Sequence, residues 1–243
     1  MRRSTPNSEA VAEAQRAFIG TIAALDEAAL GSMIAVLEPF ANEARRHRLR
    51  SVIDARLDSV TVLFDSPYDP HNGAAVLRSC DAFGVQRLHV VERKQTFLAA
   101  REVARGSQRW VDVHAYPSGP PATTRLAASG FELVATHPEG ELVPEELARI
   151  PRVALVLGNE RDGIADDLAG ACTRRVRVPM RGFAESLNVS VTAAILLRAA
   201  TEGRPGDLSV MERSRLYLRA LALTLPRAPE ILAAHGLILE EAG

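Results

Sequence analysis

The spacing of apolar positions changes twice along the chain. From Glu9 to about Leu57 they recur at helical intervals in an Ala- and Arg-rich background, with breaks expected at Gly31 and at Glu38-Pro39. From Val60 onward short apolar runs of strand character take over, at Val60–Phe64, Leu88–Val91, Val111–His114, Leu133–Thr136, Val153–Leu157 and Val176–Val178. Helical segments separate several of them, and strands alternating with helices predict an α/β unit whose mostly parallel sheet is buried on both faces. After Gly203-Arg204-Pro205-Gly206 the helical period returns, over Met211–Leu225 and Ala228–His235. The pattern divides the chain into a helical extension over 1–57, an α/β domain over 58–203 and a second helical extension over 204–243.

One stretch fits neither period. Within Arg181–Ala200, the residues Ser186-Leu187-Asn188-Val189-Ser190-Val191 alternate polar and apolar as a half-buried strand would, yet the Ala-rich segment after them reads as helix. Leu187, Val191, Ala194 and Ile195 then share one helical face. Ser186 and Asn188 either cap this helix, the usual work of such residues, or tie neighbouring loops together around a ligand.

Composition narrows the setting. In 243 residues no apolar run reaches the length of a bilayer crossing, and the polar residues after Arg2-Arg3 do not make a secretory leader. A cytoplasmic protein with no membrane association is expected, with Cys80 and Cys172 as free thiols. The net charge of −1 hides acidic clusters at Glu139–Glu146 and Asp162–Asp167 that offset basic ones elsewhere, so an anionic partner is compatible with it. Lys94 is the only lysine among 29 basic residues; nearly every cation is a guanidinium, suited to bidentate phosphate contacts. The six histidines show no ligand spacing, and no metal is expected. No G-x-G-x-x-G turn occurs and no Gly-Lys-Ser/Thr, which sets aside the Rossmann and P-loop nucleotide folds.

Three stretches carry candidate chemistry. In Asp69–Glu92, Pro70 and Asn72-Gly73 mark a turn, Ala74–Phe83 forms a helix with Asn72 as its expected N-cap, and Arg78 lies within reach of the helix start; taken alone, a capped crossover helix with a surface arginine is the plainer reading. In Ala154–Ile164, a buried strand ends in Gly158 and meets Asn159, Glu160, Arg161 and Asp162, at the end of the strand where ligands of open α/β sheets bind; a solvated loop rich in turn residues fits this segment equally. Gly158 admits a close approach to the backbone and Gly163 permits a turn. In the third, Val176–Val178 leads through Pro179-Met180 and Gly182 into Ser186-Leu187-Asn188.

Taken in order, "NGAAVLR" (72–78), "LGNERDG" (157–163) and "VPM…SLNVS" (178–190) resemble the three motifs of the SpoU/TrmH family of SPOUT-type RNA ribose 2′-O-methyltransferases, over about Val60 to Ala200. The resemblance implies an α/β sheet whose C-terminal part passes through a loop as a trefoil knot, a homodimer, and S-adenosylmethionine as cofactor. It makes Arg78 the principal catalytic residue, with Asn72 and Glu160 organising it. Thr136, Leu157, Gly158, Val178, Met180 and Leu187 would surround the cofactor, with Ser186 and Asn188 bracing the knotted loops.

The flanks resemble the subgroup acting on guanosine 18 of tRNA. Arg45, Arg48 and Arg56 stand where that subgroup carries basic residues in an N-terminal helical extension, and His71 beside Asn72 matches it too. A tRNA partner is thereby implied; a ribosomal RNA substrate, or a noncatalytic RNA-binding protein of the same fold, are the alternatives. A ribose hydroxyl must lose its proton as it attacks a methyl group, and an ordinary guanidinium, protonated up to about pH 12, is a poor base. Arg78 is better suited to orient the hydroxyl and stabilise developing oxyanion charge.

Overall fold

The structure is a computed structural model and describes residues 6–93, 97, 106–159 and 161–237. Their order is α1 (Pro6–Thr21), α2 (Glu27–Leu37), α3 (Glu43–Asp54), β1 (Leu57–Asp65), α4 (Pro70–Ala82), β2 (Val85–Val91), β3 (Asp112–Tyr116), α5 (Gly119–Ala128), β4 (Glu132–Thr136), β5 (Val153–Leu157), α6 (Asp166–Ala169), β6 (Arg174–Val176), α7 (Val189–Ala200), α8 (Val210–Thr224) and α9 (Ala228–Ala234). The chain falls into two compact units: Arg56–Asp207 holds the sheet, and the described elements outside it are helices.

The sheet unit has six strands, all parallel, in the order β3-β2-β1-β5-β4-β6. Successive side chains of a strand point to opposite faces, so a strand covered on both sides must be apolar throughout. β5 shows this: Val153, Leu155 and Leu157 enter one core with α4 and α7, while Ala154 and Val156 enter another with α5. α7 packs on α4 and on the 3-10 segment Pro144–Arg149. The carbonyls ending that segment are gathered by Arg204, which donates to Pro151 at 2.8 Å, to Leu147 at 3.2 Å and to Ile150. The Gly-Pro linker of the sequence is thus anchored by its one arginine.

In the helical unit α2 packs on α8, α3 on α8, and α1 on α8 and α9. Leu30, Met33 and Leu37 of α2 and Leu216, Leu218 and Leu221 of α8 are buried. Polar ties join the first and last helices: Gln15 donates to the Ala222 carbonyl at 2.5 Å, Arg215 to the Leu25 carbonyl at 3.1 Å, and Tyr217 Oη to Glu38 at 2.7 Å. The helices before and after the sheet in sequence therefore form a single packed unit.

Three sequence expectations are corrected. Helix α4 begins four residues before Ala74, because Asp69 rather than Asn72 caps it: Pro70 opens the first turn, where its missing N–H costs nothing, and the Asp69 carboxylate accepts the His71 N–H at 2.8 Å. Gly31 does not break α2. Its helical cost of about 1 kcal/mol is outweighed by packing on either side, and the chain turns earlier, where Asp26 caps α2 through the Ala29 N–H. The last strand ends at Val176 rather than Val178, leaving Arg177 and Val178 in an extended stretch where the Arg177 N–H donates to the Leu142 carbonyl.

Candidate active site

Helix α4 buries Gly73, Ala74, Val76, Leu77 and Cys80. Burial pushes the Cys80 thiol up to about 12, so it is an inert core residue. His71 and Arg78, seven residues apart, share the outward side of α4 about 10 Å apart along its axis, and both are exposed. No carboxylate among the described residues pairs with Arg78. Asn72 faces elsewhere. Its Oδ1 accepts a hydrogen bond from Asn188 Nδ2 at 3.0 Å, while Asn188 Oδ1 accepts from the Ser190 N–H at 2.8 Å and from Ser190 Oγ at 2.6 Å. Asn188 is at once the N-cap of α7 and a tie to the arginine-bearing helix. Of the two readings of that residue from sequence, the cap is the one seen directly.

The turn after β5 is built on its glycines. A Cβ on Gly158 would lie 2.4 Å from the Gly163 carbonyl carbon, and Gly163 takes φ +70°. Asn159 and Gly163 exchange backbone hydrogen bonds, and Asn159 Oδ1 accepts the N–H groups of Arg161 and Asp162 at 2.9 and 2.7 Å. The turn is then tied to β1 by Asp65, a buried carboxylate that accepts the Ala165 N–H at 2.8 Å and Arg93 Nε at 2.9 Å; Arg93 also reaches Asp167. Hydrogen bonding to Arg93 holds the Asp167 carboxyl below its ordinary range.

Between this turn, the end of β4 and the segment after β6 lies a cavity of about 190 Å³. Of the residues expected around a cofactor, Thr136, Gly158, Val178, Met180, Ser186 and Leu187 line it. Leu157 is fully buried behind Gly158. Asn188 caps the helix next to the cavity. Ile164 and Glu185 line it as well. The donor set suits a nucleoside with an amino-acid tail: Ile164, Val178 and Leu187 offer apolar surface to a flat base, the glycine-bounded backbone admits close approach, and Glu185 offers a carboxylate to hydroxyls or an ammonium group. S-adenosylmethionine has that composition, and these are the residues that would hold it.

Other expectations separate. Residues 181–188 are exposed, so Ser186 and Asn188 do not stand at a buried entrance; the loop lies over the cavity from outside. The helical face containing Leu187, Val191 and Ile195 is the open one, whereas Ala193, Leu196, Leu197 and Ala200 face the core. Arg45 and Arg48 are exposed on α3. Arg56 is not available to RNA. It is 2 % exposed and donates to Gln86 Oε1 at 2.5 Å and to Asp81 Oδ1 at 3.0 Å, because the chain turns inward there to begin β1. Glu160 lies outside the described residues. Asp65 and Arg93 escaped sequence reading, though a carboxylate directly after the apolar run Val62-Leu63-Phe64 is a usable signal. Gly140, whose Cβ would lie 2.5 Å from the Val176 carbonyl carbon, carried none. Among the described residues no group of His, Cys, Asp or Glu side chains is arranged to hold a metal ion, and no helix is long and apolar enough to cross a membrane.

A parallel α/β sheet, a glycine-built cavity beyond the ends of β4, β5 and β6, and an adjacent helix bearing an exposed arginine define the class. The chain belongs to the SpoU rRNA Methylase family, whose model matches residues 59–198. It is similar to the tRNA (guanosine(18)-2′-O)-methyltransferase of Thermus thermophilus, 33 % identical over 163 residues that make up 67 % of this chain and 84 % of that protein. Among solved structures it is similar to the A. aeolicus TrmH/SpoU tRNA modifying enzyme, with a TM-score of 0.63 and 30 % identity over 75 % of this chain and 96 % of that one. It also resembles the SpoU methyltransferase AviRb of Streptomyces viridochromogenes, solved with the cofactor AdoMet, with a TM-score of 0.54 and 28 % identity over 63 % of this chain and 62 % of that one.

Proposed function

We propose that the chain is an S-adenosylmethionine-dependent tRNA methyltransferase that modifies the ribose 2′-hydroxyl of guanosine 18 in the D-loop. The observation that carries this reading is the Asn72–Asn188 hydrogen bond, which couples the helix of Arg78 to the loop over the cavity. The names of the relatives support the substrate. The cofactor supplies a methyl group already activated by a sulfonium, so the protein's work is alignment and charge stabilisation. Arg78 engages the RNA, orients the 2′-hydroxyl and stabilises the oxyanion as it develops. The proton passes to an RNA phosphate or to water, since a guanidinium is a poor acceptor. Asn72 holds α4 in register with α7, and the family resemblance gives Glu160, outside the described residues, a share in organising the arginine.

In the same reading the C-terminal part of the sheet domain passes through a loop as a trefoil knot, its loops braced by Ser186 and Asn188. It makes the chain a homodimer, supported by the exposed apolar side chains Val191 and Ile195, 47 % and 37 % open on a helix bordering the cavity. The helical unit is an RNA-binding extension using Arg45 and Arg48, and a tRNA substrate supports a cytoplasmic setting. The test is incubation of the protein with labelled S-adenosylmethionine and unmodified tRNA, followed by mapping of the methylated nucleotide. Methyl at the ribose of guanosine 18, absent from a tRNA with another base there, is expected. Transfer only to ribosomal RNA, or none to either, overturns the proposal.

A further inference from the structure

The Arg161 guanidinium lies over the Tyr68 ring, its central carbon 3.6 Å from the ring centroid. The pair joins two loops that chemistry must bring together. Tyr68 sits immediately before Asp69, the cap of the helix that carries His71, Asn72 and Arg78. Arg161 belongs to the turn whose Asn159 and Gly163 line the cavity, and its backbone is held by Asn159 Oδ1. Neither side chain is used by the function proposed above. Tyr68 is 44 % exposed in spite of the stack, and Arg161 is exposed too.

A ribose hydroxyl presented to the cavity brings its own base with it. That base leaves its neighbours, and the stacking it loses is made good only if another flat surface receives it. Aromatic rings and arginine planes are the surfaces proteins use for unstacked bases. We infer that Tyr68, backed by Arg161, is the stacking platform for the base of the nucleotide being methylated, a role that rests on the reading of the cavity as an RNA methyltransferase site. Cation–π contact with Arg161 keeps the ring from rotating, so its plane is set before RNA arrives. Stacking reads the face of a base and not its edges, so the platform contributes hold without choosing guanosine.

The test compares Tyr68→Ala, Tyr68→Trp, Arg161→Ala and wild type on two tRNAs, one intact and one with an abasic ribose at the target position. On intact tRNA, Tyr68→Ala lowers kcat/KM by about 5- to 100-fold, the loss of one base stack. Tyr68→Trp retains most activity, Arg161→Ala falls between, and binding of S-adenosylmethionine is unchanged in all. In equilibrium binding, Tyr68→Ala holds intact tRNA more weakly than wild type does, and on abasic tRNA the two affinities become equal. A loss from Tyr68→Ala that persists undiminished on abasic tRNA, or that accompanies weakened cofactor binding, makes the pair a brace between loops and overturns the platform alone. Wild type that transfers no methyl to intact tRNA overturns the methyltransferase reading beneath it.

Discussion

Arg78 and Asn188 work by different physics, and substitution separates them. Arg78 is exposed on α4 and is not among the residues that line the cavity. Arg78→Ala is therefore expected to cut turnover more than 10-fold while leaving S-adenosylmethionine affinity within a factor of about two, the mark of a group acting on the transition state. Calorimetry for binding and labelled methyl transfer for turnover decide it, and retention of more than a tenth of the rate would remove Arg78 from catalysis. Asn188 is engaged with Asn72 and Ser190 and caps α7. Its replacement by alanine costs about 1 kcal/mol as a lost cap and loosens the cavity loop, so a lower melting temperature and weaker cofactor binding are expected together. A variant that melts and binds as wild type does would show that the Asn72–Asn188 bond holds nothing in place.

At the scale of elements, the central strands were legible because a parallel strand buried on two faces must be apolar throughout, as Val153–Leu157 is, whereas the edge strand Arg174–Val176 carries two arginines and its run was placed two residues late. Helix boundaries were less so. Asp69 and Asn72 both have capping chemistry, and what chose Asp69 was Pro70 between them. The cavity residues Gly158, Val178 and Leu187 could be named from their motifs, whereas Arg56 was misread: a guanidinium next to an arginine-rich helix looks like surface until Gln86 and Asp81, far along the chain, are seen to receive it. A second polar group in the sheet has a measurable consequence. His89 of β2 stacks on His114 at 5.0 Å and shares a 2.9 Å hydrogen bond with Tyr116 Oη. Burial, then the charges of His114 and Arg125, push the His89 imidazole down to about 3, and burial lowers His114 as well. The unfolded chain takes up a proton near pH 6.5 that the folded sheet refuses until about pH 3, so the stability present above pH 6.5 is lost as pH falls through that window. The slope from such a group approaches about 1.4 kcal/mol per pH unit. Urea midpoints between pH 7 and 4 should fall less steeply for His89→Leu than for wild type; equal slopes would show that the imidazole charges without penalty.

On the scale of the whole molecule, association and RNA binding are the properties to measure. Val191 and Ile195 stand open one turn apart on α7, and covering them against a second copy would remove both from water. Sedimentation at micromolar concentration is expected to give a dimer, and Val191→Asp with Ile195→Asp a monomer; a wild-type monomer that still methylates tRNA would dismiss the dimer. On α3, Arg45 and Arg48 lie three residues apart on one exposed side. Replacing both with alanine should weaken tRNA binding and flatten the plot of log affinity against log salt by about one unit for each lost phosphate contact, with target choice unchanged. Parallel plots would mean that these arginines do not touch the backbone of the RNA.

The packing of α1 and α2 on α8 and α9 bears on how the protein is made. Gln15 finds its acceptor 207 residues downstream, whereas Arg56–Asp207 contains its own sheet and both of its cores. A ribosome releases the first helices long before their partners exist. The sheet, emerging whole, can fold while they wait, and only the arrival of the last two helices closes the helical unit around a loop as long as the sheet unit itself. The order of folding is then the reverse of the order of synthesis for the first fifty residues, and during that interval the apolar sides of α1 and α2 are open to whatever holds nascent chains.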